Sequence, residues 1–364
     1  MGKVFDQIIL MENALDAFRM IRKGHSEDYS MLKFESNLMG NIQKIVGSIK
    51  DGTYSVKGYR ILVVREPKER NIYAPYIEDR LVQQMIYSVI EPFLDRKMDH
   101  YSGACRIGKG VEFSRKSTQR MMRHRDSIWY VKLDIDKFFA SIDHDVLKSI
   151  LAKHIRDKAV LELLECFIGN GFGDKGIPIG NLLSQLFANL YLNELDQFVR
   201  HDTKAVHYVR YMDDFICFAK DKESARELKI EAIRFVNEQL KLNIDNRKVK
   251  LQKVKHGITF LGCKIKAKKM FLSKTKIKKI RHRIKRYIQS GCSTPMQHSF
   301  ANIVPEDDTF VLAKIFQVYN EFAGRGEKLL MLKACSKKFN VFMSGQYLFI
   351  GGAKKLSKIK EVTL

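Results

Sequence analysis

The chain has 364 residues, and its 65 lysines and arginines against 41 aspartates and glutamates give a formal net charge of +24. This length suffices for two or three subdomains with a sizeable core, and a hydrophobic content of 45% is ordinary for a soluble globular protein. The positive excess predicts a polyanionic partner, nucleic acid first and a membrane surface second. No apolar run reaches the roughly 18 residues of a membrane-spanning helix, so we expect none.

The cysteines and the first residues bear on the cellular compartment. The six cysteines are scattered without a C-x-x-C pair, which favours reduced thiols over zinc ligands or a disulfide framework. The N-terminal residues lack the charged and then apolar layout of a signal peptide. We therefore expect a cytoplasmic protein.

The N-terminal part of the chain predicts helices followed by a hairpin. Apolar residues at helical spacing over residues 7–49 predict two or three amphipathic helices, interrupted at Gly24 and Gly40. Residues 61–64 and 71–74 then predict two paired strands. The tip between these strands is basic, and a basic hairpin tip is often only a solvated turn.

Two later stretches place carboxylates at strand ends. Residues 206–211 and 215–219 are rich in β-branched and aromatic side chains and predict two short strands joined by a tight hairpin, with Asp213 and Asp214 at its tip. Upstream, the alternating stretch 129–134 predicts a strand that ends at Asp134. Adjacent aspartates alone also fit an ordinary polar turn. If the strands are neighbours, the carboxylates converge, and hard cations such as Mg²⁺ would offset their repulsion.

These residues resemble a known family. Asp134 with Phe138-Phe139, and the run Tyr211-Met212-Asp213-Asp214, are similar to two conserved motifs of reverse transcriptases. Asp79-Arg80, at the start of an apolar-faced helix, resembles a further block of that family. Five or six such blocks occur in the family's order, and the resemblance covers roughly residues 10–290.

The resemblance implies an α+β fold of the right-hand polymerase type. Residues 1–125 would form the fingers, with part of 150–180 packing nearby. Residues 126–267 would form the palm, an antiparallel sheet plus helices that carries the catalytic carboxylates. Residues 268–364 would form a basic, helical thumb and C-terminal region, and we expect 295–364 to be helical.

The site implied by this resemblance transfers nucleotides with two Mg²⁺ ions, for which Mn²⁺ is a substitute. Its metal ligands would be Asp134, Ile135, Asp213 and Asp214. Lys248 matches a catalytic lysine of the family, although a lysine in such a stretch is also typical of an ordinary charged surface.

The resemblance also implies residues that hold the nucleotide and the primer. The nucleotide-binding residues would be Lys68, Arg70, Ile135, Phe139, Ile179, Gly180 and Gln185. The point charge of Lys68 and the forked guanidinium of Arg70 suit a triphosphate. The ring of Phe139 would exclude a ribose 2′-hydroxyl. The primer end would be gripped by Phe260, Leu261 and Gly262.

A Gly/Pro turn that runs into an apolar helix is informative about the subfamily. Reverse transcriptases usually carry Pro-Gln-Gly at this turn and Ser-Pro a few residues on, whereas here Ile179 replaces the Gln and Gln185 replaces the Pro. This pattern resembles the reverse transcriptases of diversity-generating retroelements, which copy a template RNA with frequent errors at adenines. The plain alternative is a buried helix with a glycine at its entry.

The C-terminal region is strongly basic. Lysines and arginines crowd residues 264–286, and Ile277, Ile280, Ile284 and Ile288 fall at helical spacing in this basic region, which predicts a basic amphipathic helix. Contacts with nucleic acid are expected from Lys274, Lys278, Arg281 and Lys285. A membrane-surface helix is the alternative, but the polymerase motifs upstream favour a thumb that grips a duplex backbone, and we expect no membrane partner.

Three functions are compatible with these features. The first is a reverse transcriptase of a diversity-generating retroelement, making error-prone cDNA from a template-repeat RNA. The second is a related reverse transcriptase of a bacterial antiphage defence system. The third is an RNA-binding scaffold without catalysis, which the intact acidic positions argue against. The expected partners are template RNA, the cDNA/RNA duplex, deoxynucleoside triphosphates and a small basic helical accessory protein.

Overall fold

The fold is taken from a computed structural model, which describes residues 3–275 without 24, 26, 65–68 and 171, residue 278, and two strands at 341–344 and 347–350. The helices are α1 Lys3–Ile8, α2 Met11–Arg22, α3 Tyr29–Glu35, α4 Leu38–Lys50, α5 Ile77–Asp95, α6 Val111–Met121, α7 Phe138–Ser141, α8 His144–His154, α9 Lys158–Ile168, α10 Leu182–His201 and α11 Lys222–Glu238. The strands are β1 Tyr59–Val64, β2 Arg70–Pro75, β3 Trp129–Asp134, β4 His207–Tyr211, β5 Asp214–Ala219, β6 Lys250–Lys253, β7 Ile258–Phe260, β8 Cys263–Ile265, β9 Met270–Leu272, β10 Val341–Ser344 and β11 Tyr347–Ile350.

The N-terminal helices agree in number with the sequence prediction. Three helices, α2 to α4, occupy the stretch 7–49 in which two or three were expected, and α1 lies mostly before it. Gly40 does not interrupt a helix, because it lies inside α4. A side chain there would meet the amide of Asn37 at 2.7 Å, so a glycine suits this crowded first turn. In α2 the buried residues Ala14, Ala17, Phe18 and Ile21 recur at helical spacing, as an amphipathic helix requires.

The central element is a four-stranded antiparallel sheet in the order β4-β5-β3-β6. Its inner strand β5 is almost continuously apolar, and Phe215 to Ala219 are fully buried. Helix α11 packs on β3 and β5, and the long helix α10 packs on β4, α5, α8 and α11. Because α10 is buried along most of its length, it forms the centre of the core beneath the sheet.

Two helices next to the sheet begin at aspartate caps. The side chain of Asp143 accepts a hydrogen bond from Val146 N–H at 3.1 Å at the start of α8. Asp221 does the same for Ser224 N–H at 2.7 Å at the start of α11. Such caps satisfy backbone donors that lack a partner within the helix, so these aspartates fix where the two helices begin.

The chain divides into two compact units. The first contains residues 1–117 and 124–253, and the second contains residues 118–123 and the chain from Val254 onward. In the second unit, β7, β8 and β9 form a three-stranded antiparallel sheet. Within that unit, Gln119 donates to the carbonyl of Lys266 at 2.9 Å and Arg123 to that of Ala267 at 2.7 Å. No helix in the part of the chain that the structure describes is long and apolar enough to cross a membrane.

The expectation of helix over residues 295–364 is wrong where the structure describes that range. Strands β10 and β11 form an antiparallel hairpin in which Phe342 pairs with Phe349. Both strands are rich in aromatic and aliphatic side chains, which suit a pleated sheet. The other residues of the range lie outside the described residues.

Candidate active site

The sheet brings the three predicted aspartates to one of its ends. The antiparallel register of β3 and β5 sets Asp134 directly opposite Asp214. Asp213 lies in the two-residue turn between β4 and β5, and its carbonyl accepts the N–H of Ile135 at 3.2 Å. The strand ends therefore bring these carboxylates together in space, although Asp134 and Asp214 are about 80 residues apart in the chain.

A buried arginine, Arg210, stabilises the turn that carries Asp213. Met212 has a φ of 54°, a left-handed conformation that is uncommon for a residue other than glycine. Arg210 donates to the carbonyl of Met212 at 3.3 Å. Its guanidinium also makes a bidentate ion pair with Asp196, at 2.6 Å through both Nε and Nη2, and both side chains are 0% exposed. The hydroxyl of Tyr208 donates to the same carboxylate at 2.7 Å.

Two lysines contact the carboxylates. Lys248 Nζ donates to Asp134 Oδ1, and the stretch before it is fixed to the end of β3 because Asp245 N–H donates to the carbonyl of Asp134 at 2.9 Å. Lys132 Nζ lies 2.7 Å from Asp214 Oδ2. Each carboxylate of this strand pair thus has one ammonium partner.

Burial and the closeness of the carboxylates raise the pKa values of Asp213 and Asp214. Burial raises the pKa of Asp213, repulsion by Asp134 adds to this, and attraction by Lys248 and Arg70 opposes it. Burial raises the pKa of Asp214 to about 6, in spite of Lys132. Burial alone would lower the pKa of Lys248, but its hydrogen bond to Asp134 and the attraction of that carboxylate raise it. The site is therefore short of positive charge even with the two lysines in place.

The donor set fits a hard divalent cation. Oδ1 of Asp214 is buried and has no hydrogen-bond partner among the described residues. Asp134 and Asp213 supply carboxylate oxygens, and Ile135 can contribute only its carbonyl oxygen. Within the described residues no group of three or more His, Cys, Asp or Glu side chains stands close enough to hold a metal ion. Mg²⁺ does not require such a cage, because it usually binds one or two carboxylates together with substrate phosphates.

Three of the predicted nucleotide-binding residues, Arg70, Phe139 and Ile179, lie on β2, on α7 and in the turn before α10. Arg70 opens β2, is exposed, and is near enough to lower the pKa of Asp213. Phe139 follows Asp134 in the short helix α7, and its carbonyl accepts the N–H of Ile177 at 2.8 Å. Ile179, half-buried, accepts the N–H of Tyr73 in β2 at 2.8 Å through its carbonyl. The structure therefore links the turn of Ile179 both to α7 and to β2.

The other predicted site residues lie next to the turn of Ile179, in the second unit, or outside the described residues. Gly180 is exposed beside Ile179, and Gln185 is half-buried in the first turn of α10. In the second unit, Leu261 and Gly262 have φ of 48° and 78° and form the tight turn between β7 and β8, where positive φ is expected. Lys274 and Lys278 are exposed helical residues. The remaining predicted positions, Lys68, Arg281 and Lys285, lie outside the described residues.

Sequence reasoning missed two contributors to the site. Lys132 precedes Asp134 by two residues in β3, so the two side chains share a face of the sheet, and the alternation of a strand could have revealed it. Arg210 precedes the aspartates within β4, but nothing local in the sequence identifies Asp196 in α10 as its partner.

An antiparallel sheet with paired carboxylates on two central strands agrees with the class of polymerases that the motifs resemble. The family model for reverse transcriptase (RNA-dependent DNA polymerase) matches residues 65–265, which is more than half of the chain. The chain therefore belongs to the reverse transcriptase family.

Similar proteins are found at low identity. The group II intron-encoded protein LtrA of Lactococcus lactis is 24% identical over 301 residues, which cover 63% of this chain and 50% of that protein. Protein YkfC of Escherichia coli is 26% identical over 238 residues, covering 54% and 62%. Apo telomerase from Candida tropicalis, truncated from its C-terminal domain, has a TM-score of 0.46 at 14% identity, covering 59% and 55%. The chain spans about half the length of the first of these curated relatives.

Proposed function

We propose that this chain is an RNA-templated DNA polymerase, a reverse transcriptase that extends a primer by nucleotidyl transfer. The observation that carries the proposal is the pairing of Asp134 with Asp214 across β3 and β5, with Asp213 in the adjoining turn. Family membership supports the same reaction. Template RNA, a cDNA/RNA duplex and deoxynucleoside triphosphates are the corresponding partners.

Each residue of the site has a role in this proposal. Asp134 and Asp213, with the carbonyl of Ile135, would hold Mg²⁺, and Asp214 would support them while paired with Lys132. Bound there, two such ions would lower the pKa of the primer 3′-hydroxyl and offset the charge of the triphosphate. Mn²⁺ is a substitute that the same oxygen donors would accept.

The cationic residues of the site would act on the triphosphate. Arg70, exposed at the start of β2, would bind its oxygens through the guanidinium fork, with Lys68 as a second contact. Lys248 carries a proton that its contact with Asp134 stabilises. It would lie beside the phosphates as a charge partner and as a proton donor to the leaving group.

We further propose the diversity-generating type, in which a template-repeat RNA is copied with errors at adenines. This rests on Ile179 and Gln185, where the family usually has Gln and Pro. Ile179 offers only contact area, whereas a glutamine there could donate a hydrogen bond to the nucleotide or its surroundings. A small basic accessory protein would belong to this system.

The reaction is tested with purified protein on a primed RNA template. The Asp213→Asn variant should lose polymerisation while its affinity for RNA stays nearly unchanged, because asparagine lacks the charge that Mg²⁺ requires. Asp202→Asn, an exposed position after α10, is the matched control and should remain active. Activity of Asp213→Asn within about tenfold of the unaltered protein would refute the catalytic assignment.

The subtype is tested by sequencing cDNA made on one adenine-containing template. Ile179→Gln should lower misincorporation opposite adenine by several-fold, since one hydrogen bond contributes about 1 kcal/mol and about 1.4 kcal/mol is tenfold in a rate ratio. Equal error spectra from the two proteins would remove Ile179 from the fidelity of the enzyme and leave it as a packing residue.

A further inference from the structure

The turn that carries Ile179 and Gly180 is hydrogen-bonded to β2 through the backbone N–H and the carbonyl of Tyr73. Tyr73 donates its N–H to the carbonyl of Ile179 at 2.8 Å, and its carbonyl accepts the side-chain amide of Asn181 at 3.1 Å. The side chain of Asn181 thus takes the place of the backbone donor that a neighbouring strand would supply.

The second part of this arrangement is Gln83 of α5, which is 2% exposed. Its Nε2 donates to Asn181 Oδ1 at 2.8 Å, and its Oε1 accepts the N–H of Leu182 at 3.1 Å. One side chain therefore fixes both the oxygen of Asn181 and the first N–H of α10. Leaving either buried group unpaired carries a desolvation penalty, so the pairs hold each other in place.

The turn of Ile179 and Gly180 packs closely against β2. Gly180 has a φ of +107°, and a Cβ built there would lie 2.7 Å from the side chain of Ile72 in β2. The rings of Tyr73 and Phe172 meet edge to face, with centroids 4.9 Å apart. The turn therefore contacts β2 at Ile72 as well as through the hydrogen bonds of Tyr73.

The side chain of Asn181 does not cap the helix that it precedes. It occupies the N-cap of α10, a position at which asparagine normally accepts a backbone N–H of the first turn. Here its side chain makes no capping hydrogen bond, and Gln83 bonds Leu182 N–H instead. The amide of Asn181 is directed to β2, which points to a connection between elements and away from a simple helix cap.

We propose that Gln83 and Asn181 are positioning residues that make β2, with Arg70, and the turn of Ile179 move as one body. This rests on the proposed function, in which Arg70 contacts the triphosphate and Ile179 lies beside the templating base pair. Two surfaces that hold one nucleotide bind it best when their separation is fixed before it arrives, because less motion is then lost on binding.

The test compares two buried asparagines, Asn181 at the N-cap of α10 and Asn193 in the interior of that helix. Asn181→Leu removes the contacts to Tyr73 and Gln83. Asn193→Leu, the matched control, removes bonds of the same kind, since Asn193 accepts Asp99 N–H at 3.0 Å and donates to the carbonyl of Lys97 at 3.3 Å. Both asparagines are about equally buried, at 2% and 3% exposure.

The first readout is amide hydrogen exchange, which needs no activity. Asn181→Leu should speed exchange at Tyr73 N–H, whereas Asn193→Leu should leave it unchanged. The second readout is steady-state kinetics with each deoxynucleotide. Asn181→Leu should raise KM for the nucleotide by about tenfold, equivalent to roughly 1.4 kcal/mol, with kcat changed by less than about threefold. Asn181→Asp, which keeps an oxygen for Gln83 but places a carboxylate oxygen against the carbonyl of Tyr73 in place of the donor, should give the same pattern if the leucine variant fails to fold.

The outcomes separate the two proposals. Unchanged exchange at Tyr73 in the Asn181 variants overturns the connection itself. Faster exchange with unchanged KM, or an equal rise of KM in Asn193→Leu, overturns its role in nucleotide positioning. If the unaltered protein makes no DNA on a primed RNA, the proposed function fails, and the exchange data alone decide whether the turn and β2 are coupled.

Discussion

Replacing Arg210 by methionine should strongly destabilise the first unit. The variant removes the bidentate ion pair with Asp196, both bonds of which are 2.6 Å, and the hydrogen bond to the carbonyl of Met212. Asp196 would then remain fully buried, and among the described residues only the hydroxyl of Tyr208 would still donate a hydrogen bond to it. Breaking one side of a buried pair typically costs about 3–5 kcal/mol, a large share of the roughly 5–15 kcal/mol that holds a domain folded.

The loss should depend on pH. Burial already raises the pKa of Asp196 against the attraction of Arg210, and without Arg210 it rises further. The folded variant then keeps a proton that the unfolded chain has released, so its free energy of unfolding falls as pH rises through the interval between the two pKa values. The Arg210→Met variant should therefore lose more stability at pH 8 than at pH 5.

Urea unfolding followed by fluorescence measures this directly, because Trp129 in β3 is the chain's single tryptophan. Arg200→Met is the matched control. It breaks an ion pair with Asp99 whose side chains are 24% and 10% exposed, and it should cost less than Arg210→Met. The double change Arg210→Met with Asp196→Leu should recover much of the stability, since it leaves no unpaired buried charge. A loss below about 1 kcal/mol for Arg210→Met, or one independent of pH, would refute this reasoning.

Three further outcomes are expected. Phe139→Ala should raise incorporation of ribonucleotides by about tenfold or more, measured by alkali-sensitive sites in the product; a product that stays resistant places the steric gate elsewhere. Reversing the charges of Lys274 and Lys278 should reduce the slope of log affinity for RNA against log salt by about one per lost phosphate contact; an unchanged slope means that this segment faces something else. In metal-free protein, the free energy of unfolding should fall as pH rises from 3.8 to about 6, because the folded chain still holds the proton of Asp214 that the unfolded chain has released. Asp214→Asn should flatten this pH dependence; a fall of equal size in the variant assigns it to another group.

Strands around the acidic centre could be predicted because their signals are local. Alternation over β3 and the aromatic runs of β4 and β5 are read directly from neighbouring residues, and the structure bears out these strands to within a residue at their ends. The meeting of Asp134 and Asp214 was predicted only on condition that their strands are neighbours. That condition depends on pairing between distant segments, and the observed register satisfies it.

Buried polar contacts across the fold could not be predicted in this way. Gln83 and Asn181 are 98 positions apart, and each alone is typical of an ordinary polar residue, one within a helix and one at a helix cap. Arg210 in an alternating strand reads as a solvent-facing charge, yet it is 0% exposed because α10 presents Asp196 to it. Whether a polar side chain is buried depends on what packs against it, and that information is not local.

The two edges of the four-stranded sheet are protected by different means. Beyond β4 the chain at Ser102 forms a parallel bridge with Arg210, in which Gly103 N–H donates to the Arg210 carbonyl at 3.0 Å and Arg210 N–H donates to the carbonyl of Tyr101 at 3.2 Å. Both backbone groups of Arg210 that another strand would use are therefore occupied. At the opposite edge β6 has only four residues, with exposed Lys250 and Lys253 at its ends. Short, lysine-bearing edges oppose pairing with a second chain. The sheet that carries the carboxylates should therefore resist edge-to-edge aggregation while the protein is concentrated in the absence of nucleic acid.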